Sequence, residues 1–317
     1  MNYQDDLLTY GTEIFNCPHS RENGTCRSEL ADVSNGLYKH GPEISFVGER
    51  YGQPGTLRIL FTRLNPTWNQ DIGWFGTRES VTEYRLQRPD ADTENIFRCF
   101  LRGWNHGNKV FRGLWDKGTV TGHPNKSSLP GEKKRKSPRY GIQVIMEEMI
   151  RAGVFPVTDD SPLHFCAINN VVKCAGSLKN WNPSNSMYRN CNYYEKELDI
   201  LMPHIVVAFG KDTDSYLRAK LGDRFFKVSN KTLLALPNGA KCRYFPFLHP
   251  LGQGKSTWLG NDVLNLHAAS DITRELGPKE KEQFKAGPNG KSSITLFNYT
   301  LHLVSEAKRL KERINWG

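Results

Sequence analysis

From Leu57 onward the chain alternates apolar runs of strand length with amphipathic runs of helix length, and that alternation leaves few folds open. It is the pattern of a largely parallel sheet whose crossovers are helices. Strands are expected at Leu57 to Phe61 (LRILF), Phe165 to Val172 (FCAINNVV), Ile205 to Phe209 (IVVAF) and Tyr244 to Leu248 (YFPFL). Helices are expected over 141–153, 191–201, 212–221 and 298–314. In the first, Ile142, Ile145, Met146, Met149 and Ile150 share one face and Gly153 supplies the stop. The expected fold is therefore α/β: a three-layer α/β/α arrangement around a central, four-stranded, mainly parallel sheet. One domain accounts for residues 1–317, with an N-terminal segment at 1–44, an insertion at 67–138 and a C-terminal helical extension at 270–317. That insertion follows the first strand and far exceeds the two to six residues usual for a strand-to-helix connection.

Composition narrows the function classes. A net charge of +10 favours a polyanionic partner, because each cation placed on a phosphate releases a condensed counterion. The expected partner is DNA, with no obligate protein partner. No apolar run approaches the ~20 residues a bilayer-spanning helix needs, so no membrane association is expected. The opening MNYQDDLLTY has neither the basic start nor the apolar stretch of a secretory signal, which points to the cytoplasm, and to the nucleoid in a prokaryote. In that reducing compartment the seven cysteines are poor disulfide candidates. Cys17 and Cys26 lie before the fold, and Cys174 and Cys191 bracket the loop after the second strand. Two thiol pairs from distant segments suit a tetrahedral four-cysteine centre, for which both zinc and iron–sulfur clusters qualify. Cys166 and Cys242, in or beside strands, read as buried inert thiols, as Cys99 also lies outside the set.

Three segments at the carboxyl ends of expected strands fall where ligands bind in open parallel sheets. ILFTRLNPTWN resembles the catalytic motif of the uracil-DNA glycosylase superfamily, with Asn65-Pro66 matching its Asn-Pro version. INNVVKC resembles the base-reading strand of the bacterial and archaeal iron–sulfur uracil-DNA glycosylases, so Asn170 matches the base-reading asparagine and Cys174 a cluster ligand. FLHPLGQGKSTW resembles the His-Pro loop, with His249 facing the departing base and Leu251 entering the duplex. PHIVVAFGKDTDSYL and IQVIMEEMIRAG resemble a further strand and helix of the same families. The resemblance spans about residues 45 to 265 and is closest to the iron–sulfur (family 4-like) enzymes, but with an Asn-Pro first motif.

The resemblance implies a monofunctional DNA glycosylase that hydrolyses the N-glycosidic bond of a flipped-out uracil or modified pyrimidine and leaves an abasic site. It favours a [4Fe–4S] cluster on Cys17, Cys26, Cys174 and Cys191, with structural zinc as the alternative. The family's first cysteine pair is close-spaced, whereas here PHSRENGT intervenes, and His19 within it is a further donor or a plain loop residue. Asn170 would read the base edge, Asn65 would hold the attacking water, and Asp71 would supply a carboxylate if its loop folds back. Glu49 mimics a Gly-Glu of the family motif but precedes the first strand. Tyr140, Phe75 and Trp74 are the candidates for the aromatic that stacks on the base. The basic run Lys133, Lys134, Arg135 and Lys136 reads as a phosphate-binding arm or as a solvated loop. Arg63 and Thr67 depart from the family pattern, and with the insertion they fit a bulkier base. A defence glycosylase specific for hypermodified cytosine in phage DNA is thus an alternative to uracil repair. A non-catalytic nucleic-acid-binding module is another, since Asn65 is no carboxylate.

Overall fold

A computed structural model describes residues 6, 10, 13–14, 17–20, 23–30, 32–33, 38–39, 45–48, 50–64, 138–157, 162–174, 183–229, 231–247 and 296–314. Its strands are β1 (Asp32–Val33), β2 (Tyr38–Lys39), β3 (Phe46–Val47), β4 (Ile59–Arg63), β5 (Cys166–Asn170), β6 (Ile205–Phe209), β7 (Phe225–Val228), β8 (Lys231–Ala235) and β9 (Lys241–Phe247). Its helices are α1 (Pro138–Arg151), α2 (Asn185–Asn190), α3 (Tyr193–Leu201), α4 (Lys211–Lys220) and α5 (Leu296–Arg313). The contacts form two compact units, one from Met1–Phe46, Leu64–Thr121 and Asn169–Ile200, the other from Val47–Arg63, Gly122–Ile168 and Leu201–Gly317.

The second unit carries most of a mixed sheet in the order β3-β5-β4-β6-β9-β8-β7, and β5 runs on into the first unit with Asn169 and Asn170. The α/β class is as expected, but the sheet is larger than four strands. Six strands of four to seven residues make it up, with the two-residue β3 at the edge. The additional pair is the hairpin β7–β8, antiparallel within itself and antiparallel to β9. β7 is half-buried to exposed and β8 buries only alternate residues, so neither presents the continuous apolar run that marks the central strands.

β4, β6 and β9 are parallel and in register, with Thr62 opposite Ala208 and Ala208 opposite Pro246. Their carboxyl ends therefore lie side by side. Phe61 stacks on Phe209 at 5.7 Å between ring centroids, and Phe209 meets Phe247 edge-on at 5.4 Å, which locks the three strands together on one face. β4 runs two residues past the last apolar side chain of LRILF, because Thr62 and Arg63 are buried as well. Burial also holds the Arg63 guanidinium at about 10, below the usual arginine value.

α1 begins ahead of the expected start and ends as the sequence indicates. Gly153 adopts φ +75°, Val154 N–H donates to Met149 C=O, and Gly153 N–H donates to Ile150 C=O, which is a Schellman closure. α5 buries Leu303, Val304 and Ala307 and packs on α1, consistent with the covering helix read from its spacing. No described helix is long and apolar enough to cross a membrane.

Candidate functional site

The four cysteines of the sequence reading come together in the first unit. Cys17, Cys26, Cys174 and Cys191 line one cavity, each at most 9% exposed. The long interval between the first two is folded back on itself. Residues Pro18–Ser20 form a 3-10 turn, Cys26 N–H donates to His19 C=O at 2.9 Å, and Ser20 Oγ donates to Cys17 C=O at 3.0 Å. Gly24 makes this turn possible: a Cβ there would stand 2.4 Å from the Pro18 carbonyl oxygen and 2.5 Å from that of His19. The turn thus brings Cys17 and Cys26, with eight residues between them, to the lining of one cavity. His19 also borders the cavity, with Nδ1 hydrogen-bonded to Thr25 Oγ1 at 2.9 Å.

Val172, Lys173 and Cys174, just past the end of β5, also line the cavity. After Asn170 the chain passes through Val171, Val172, Lys173 and Cys174, all buried. Lys173 N–H donates to Cys191 Sγ at 3.3 Å, and Asn190 Nδ2 approaches Cys26 Sγ at 3.9 Å. Such donors to sulfur stabilise thiolate charge and tune metal–thiolate centres. Without a metal, burial raises the Cys26 thiol while hydrogen bonds from Asn190 and Thr25 act the other way. Met187, Leu30 and Val172 complete an apolar surround with the cysteines, and Tyr188 and Tyr193 pack against it. The Tyr193 hydroxyl is pushed up by burial and by its hydrogen bond to Cys17. Tyr10 closes this side, donating to the Tyr193 carbonyl. Among the described residues no group of three or more His, Cys, Asp or Glu side chains is arranged to hold a metal ion.

One layer deeper lies a buried ion pair that the sequence reading assigned no role. Lys173 Nζ pairs with Glu197 Oε2, the two side chains being 1% and 0% exposed. The same ammonium donates to the Asn170 carbonyl oxygen at 2.7 Å, and Asn169 Nδ2 donates to Glu197 Oε2 at 3.1 Å. The backbone of Asn170 is thereby tied to α3, and Asn170 is itself buried. A signal for Glu197 existed: on α3 it shares a helical face with Tyr194, Leu198 and Leu201, all fully buried, and a carboxylate on such a face needs a partner.

The exits of β4 and β5 are joined as well. Val172 N–H donates to Leu64 C=O at 2.8 Å, so the residue just before Asn65 is fixed two residues beyond Asn170. Asn65, Asp71, Trp74, Phe75, Lys133, Lys134, Arg135, Lys136, His249, Leu251 and Glu49 lie outside the described residues, as does the side chain of Tyr140. Cys166 and Cys242 are 0% and 1% exposed and are not among the residues that line the four-cysteine cavity. Burial pushes both thiols up, Cys242 to about 12, as suits unreactive core residues.

No family model matches the chain. A curated type-4 uracil-DNA glycosylase from Sulfurisphaera tokodaii is 32% identical to it over 87 residues, which are 26% of this chain and 39% of that protein. The chain thus spans well under half the length of that relative, and the similarity is to part of a uracil-DNA glycosylase.

Proposed function

We propose that this protein is a DNA glycosylase that hydrolyses the bond between a flipped-out pyrimidine and its sugar. The observation that carries the reading is the junction of the four-cysteine cavity with β5: a buried asparagine at a strand end, braced from behind by Lys173, four residues before a cavity thiol. The partial likeness to a type-4 uracil-DNA glycosylase supports it. So does the net charge of +10, which suits a phosphate-rich substrate.

A base inside the stack hides its glycosidic bond, so the nucleotide must be extruded and its Watson–Crick edge read in a pocket. Asn170 fits that task because its amide presents a donor and an acceptor, matching N3–H and O4 of uracil. Bracing the Asn170 backbone reduces the ordering cost at the moment of base binding. Bond cleavage places negative charge on the departing base. His249, two residues beyond β9, is the group assigned to hydrogen-bond it. Asn65, two residues beyond β4, is assigned to hold the attacking water, with Asp71 as the available carboxylate. Asn65 follows β4 and His249 follows β9, two strands that each pair in parallel with β6, and open α/β sheets bind ligands beyond the carboxyl ends of such strands. Leu251 and the run Lys133 to Lys136 would then contact the duplex, and the chain would work as one glycosylase domain with 67–138 inserted.

Cys17, Cys26, Cys174 and Cys191 are the residues that would hold a [4Fe–4S] group, and their chemistry fits it: four buried thiols, apolar walls, and N–H donors near two sulfurs. A single tetrahedral zinc ion, with Zn–S near 2.3 Å, requires sulfurs about 3.8 Å apart around one point. Four buried thiols around one cavity suit either group, and structural zinc is the alternative. When bound, the cluster would cross-link the N-terminal segment to the exit of β5.

The test is base release from defined DNA by anaerobically purified protein, with iron and sulfide quantified in the same sample. Uracil released from uracil-containing DNA, lost in Asn170→Ala and His249→Ala, is the expected result. Release of only a hypermodified cytosine from phage DNA would assign the enzyme to defence. Binding of DNA with no base released from either substrate would refute the glycosylase reading in favour of a binding module.

A further inference from the structure

A second cavity, in the other compact unit, has the chemistry of an anion site. It measures about 240 Å³ and lies between strands β8 and β9 and helix α5. That is room for several water molecules, each of which occupies about 30 Å³ in the liquid. Five cations line it, Lys231, Lys241, Arg243, Arg309 and Arg313, against one carboxylate, Glu306. Glu306 is already shared: Lys231 Nζ stands at 2.5 Å, Arg309 Nη1 at 2.9 Å and Arg243 Nη2 at 3.6 Å. Burial would raise its carboxyl, but these three cations outweigh burial and hold it below the usual range. One negative charge thus serves three of the five cations, and no ion pair engages Lys241 or Arg313 among the described residues. Like charges gathered in a concave space repel, and the arrangement is relieved when an anion enters.

The donors are of the kind that select phosphate. Three are guanidinium groups, whose planar forks match phosphate oxygens in pairs. Arg243 is 6% exposed and held in orientation by a hydrogen bond from Nη1 to Thr232 C=O at 2.8 Å and by the Phe245 ring beneath it. His204 also lines the cavity. Its Nδ1 accepts from Arg58 N–H at 3.0 Å, which leaves the proton on Nε2, and burial together with Arg58 lowers its pKa to about 4. The cavity sits at the amino end of β9, where Lys241 and Arg243 lie, while His249 follows the carboxyl end. Seven residues of strand separate the two ends by about 20 Å.

We infer that this cavity binds a ligand carrying two or more phosphate groups, at a site separate from the one assigned to the flipped base. The source is either a free oligophosphate or consecutive phosphates of a nucleic-acid strand, and the inference does not depend on glycosylase activity.

The full chain is titrated with pyrophosphate by calorimetry and with a labelled single-stranded oligonucleotide lacking any target base by fluorescence anisotropy. Lys241→Ala/Arg313→Ala removes two exposed cations from the cavity, and Lys227→Ala/Lys308→Ala removes two exposed cations that do not line it. Circular dichroism checks that both variants fold. A loss of at least tenfold in pyrophosphate affinity, confined to the cavity variant, supports a free oligophosphate ligand. A tenfold loss for the oligonucleotide alone, with the log–log salt slope smaller by about 1.4, supports strand phosphates. Equal behaviour of the two variants with both probes overturns the site. So does oligoglutamate binding to the wild-type cavity as tightly as pyrophosphate.

Discussion

The buried pair Lys173–Glu197 makes the most demanding prediction, because its two charges have no access to water. Glu197→Leu leaves the Lys173 ammonium in the interior with the Asn170 carbonyl as its remaining hydrogen-bond acceptor on β5. Breaking a buried pair from one side costs about 3–5 kcal/mol, since the surviving charge keeps its desolvation penalty and loses its counter-charge. Lys173→Met is expected to cost a similar amount for the mirror reason. The double variant removes both charges. Its main residual penalty is Asn169 Nδ2, deprived of the Glu197 oxygen 3.1 Å away, worth about 1–3 kcal/mol. The two single costs therefore sum to roughly 6–10 kcal/mol, against about 1–3 kcal/mol for the double, a coupling of several kcal/mol. Equilibrium urea unfolding under anaerobic conditions measures all four proteins. At a slope of about 3 kcal/mol per molar, each single variant lowers the midpoint by roughly 1–1.7 M. A single variant costing under about 1 kcal/mol, or a double equal to the sum of its singles, would refute the claim that this pair is desolvated and coupled.

Gly24→Ala forces a methyl group against two backbone carbonyls of the Cys17 to Cys26 turn, so it should separate those thiols. Iron content per chain, measured after anaerobic purification, is expected to fall well below wild type while α4 and the central strands, in the other unit, keep their far-ultraviolet signal. The neutral His204 imidazole accepts from Arg58 N–H, and its folded-state pKa of about 4 lies below the ordinary value near 6.5. Between those values the unfolded chain binds the proton and the folded one does not. The stabilisation is therefore complete above about pH 6.5 and drains away as the pH falls toward 4. Urea midpoints measured across that window should fall less steeply in His204→Gln than in wild type, and parallel curves would show that His204 is not the group responsible.

What the sequence alone determined is what depends on local pattern. The central strands are legible because a strand buried on both faces must be apolar throughout, as in IVVAF, and α1 is legible because its apolar residues recur at helical spacing up to a glycine that can take positive φ. The class of fold and the buried thiols Cys166 and Cys242 came from the same level. Tertiary structure decided the rest. The hairpin β7–β8 is stable because β9 offers it an edge, which no local signal in FFKV or KTLLA announces. Only the folded turn, with Gly24 pressed against Pro18 and His19, shows how Cys17 and Cys26 come to line one cavity across eight residues. The Lys173–Glu197 pair and the basic cavity between α5 and β9 join residues 24 and more than 60 positions apart. Electrostatics acts through space, so a charge's partner, and hence its cost or its use, is set by the fold that brings the two together.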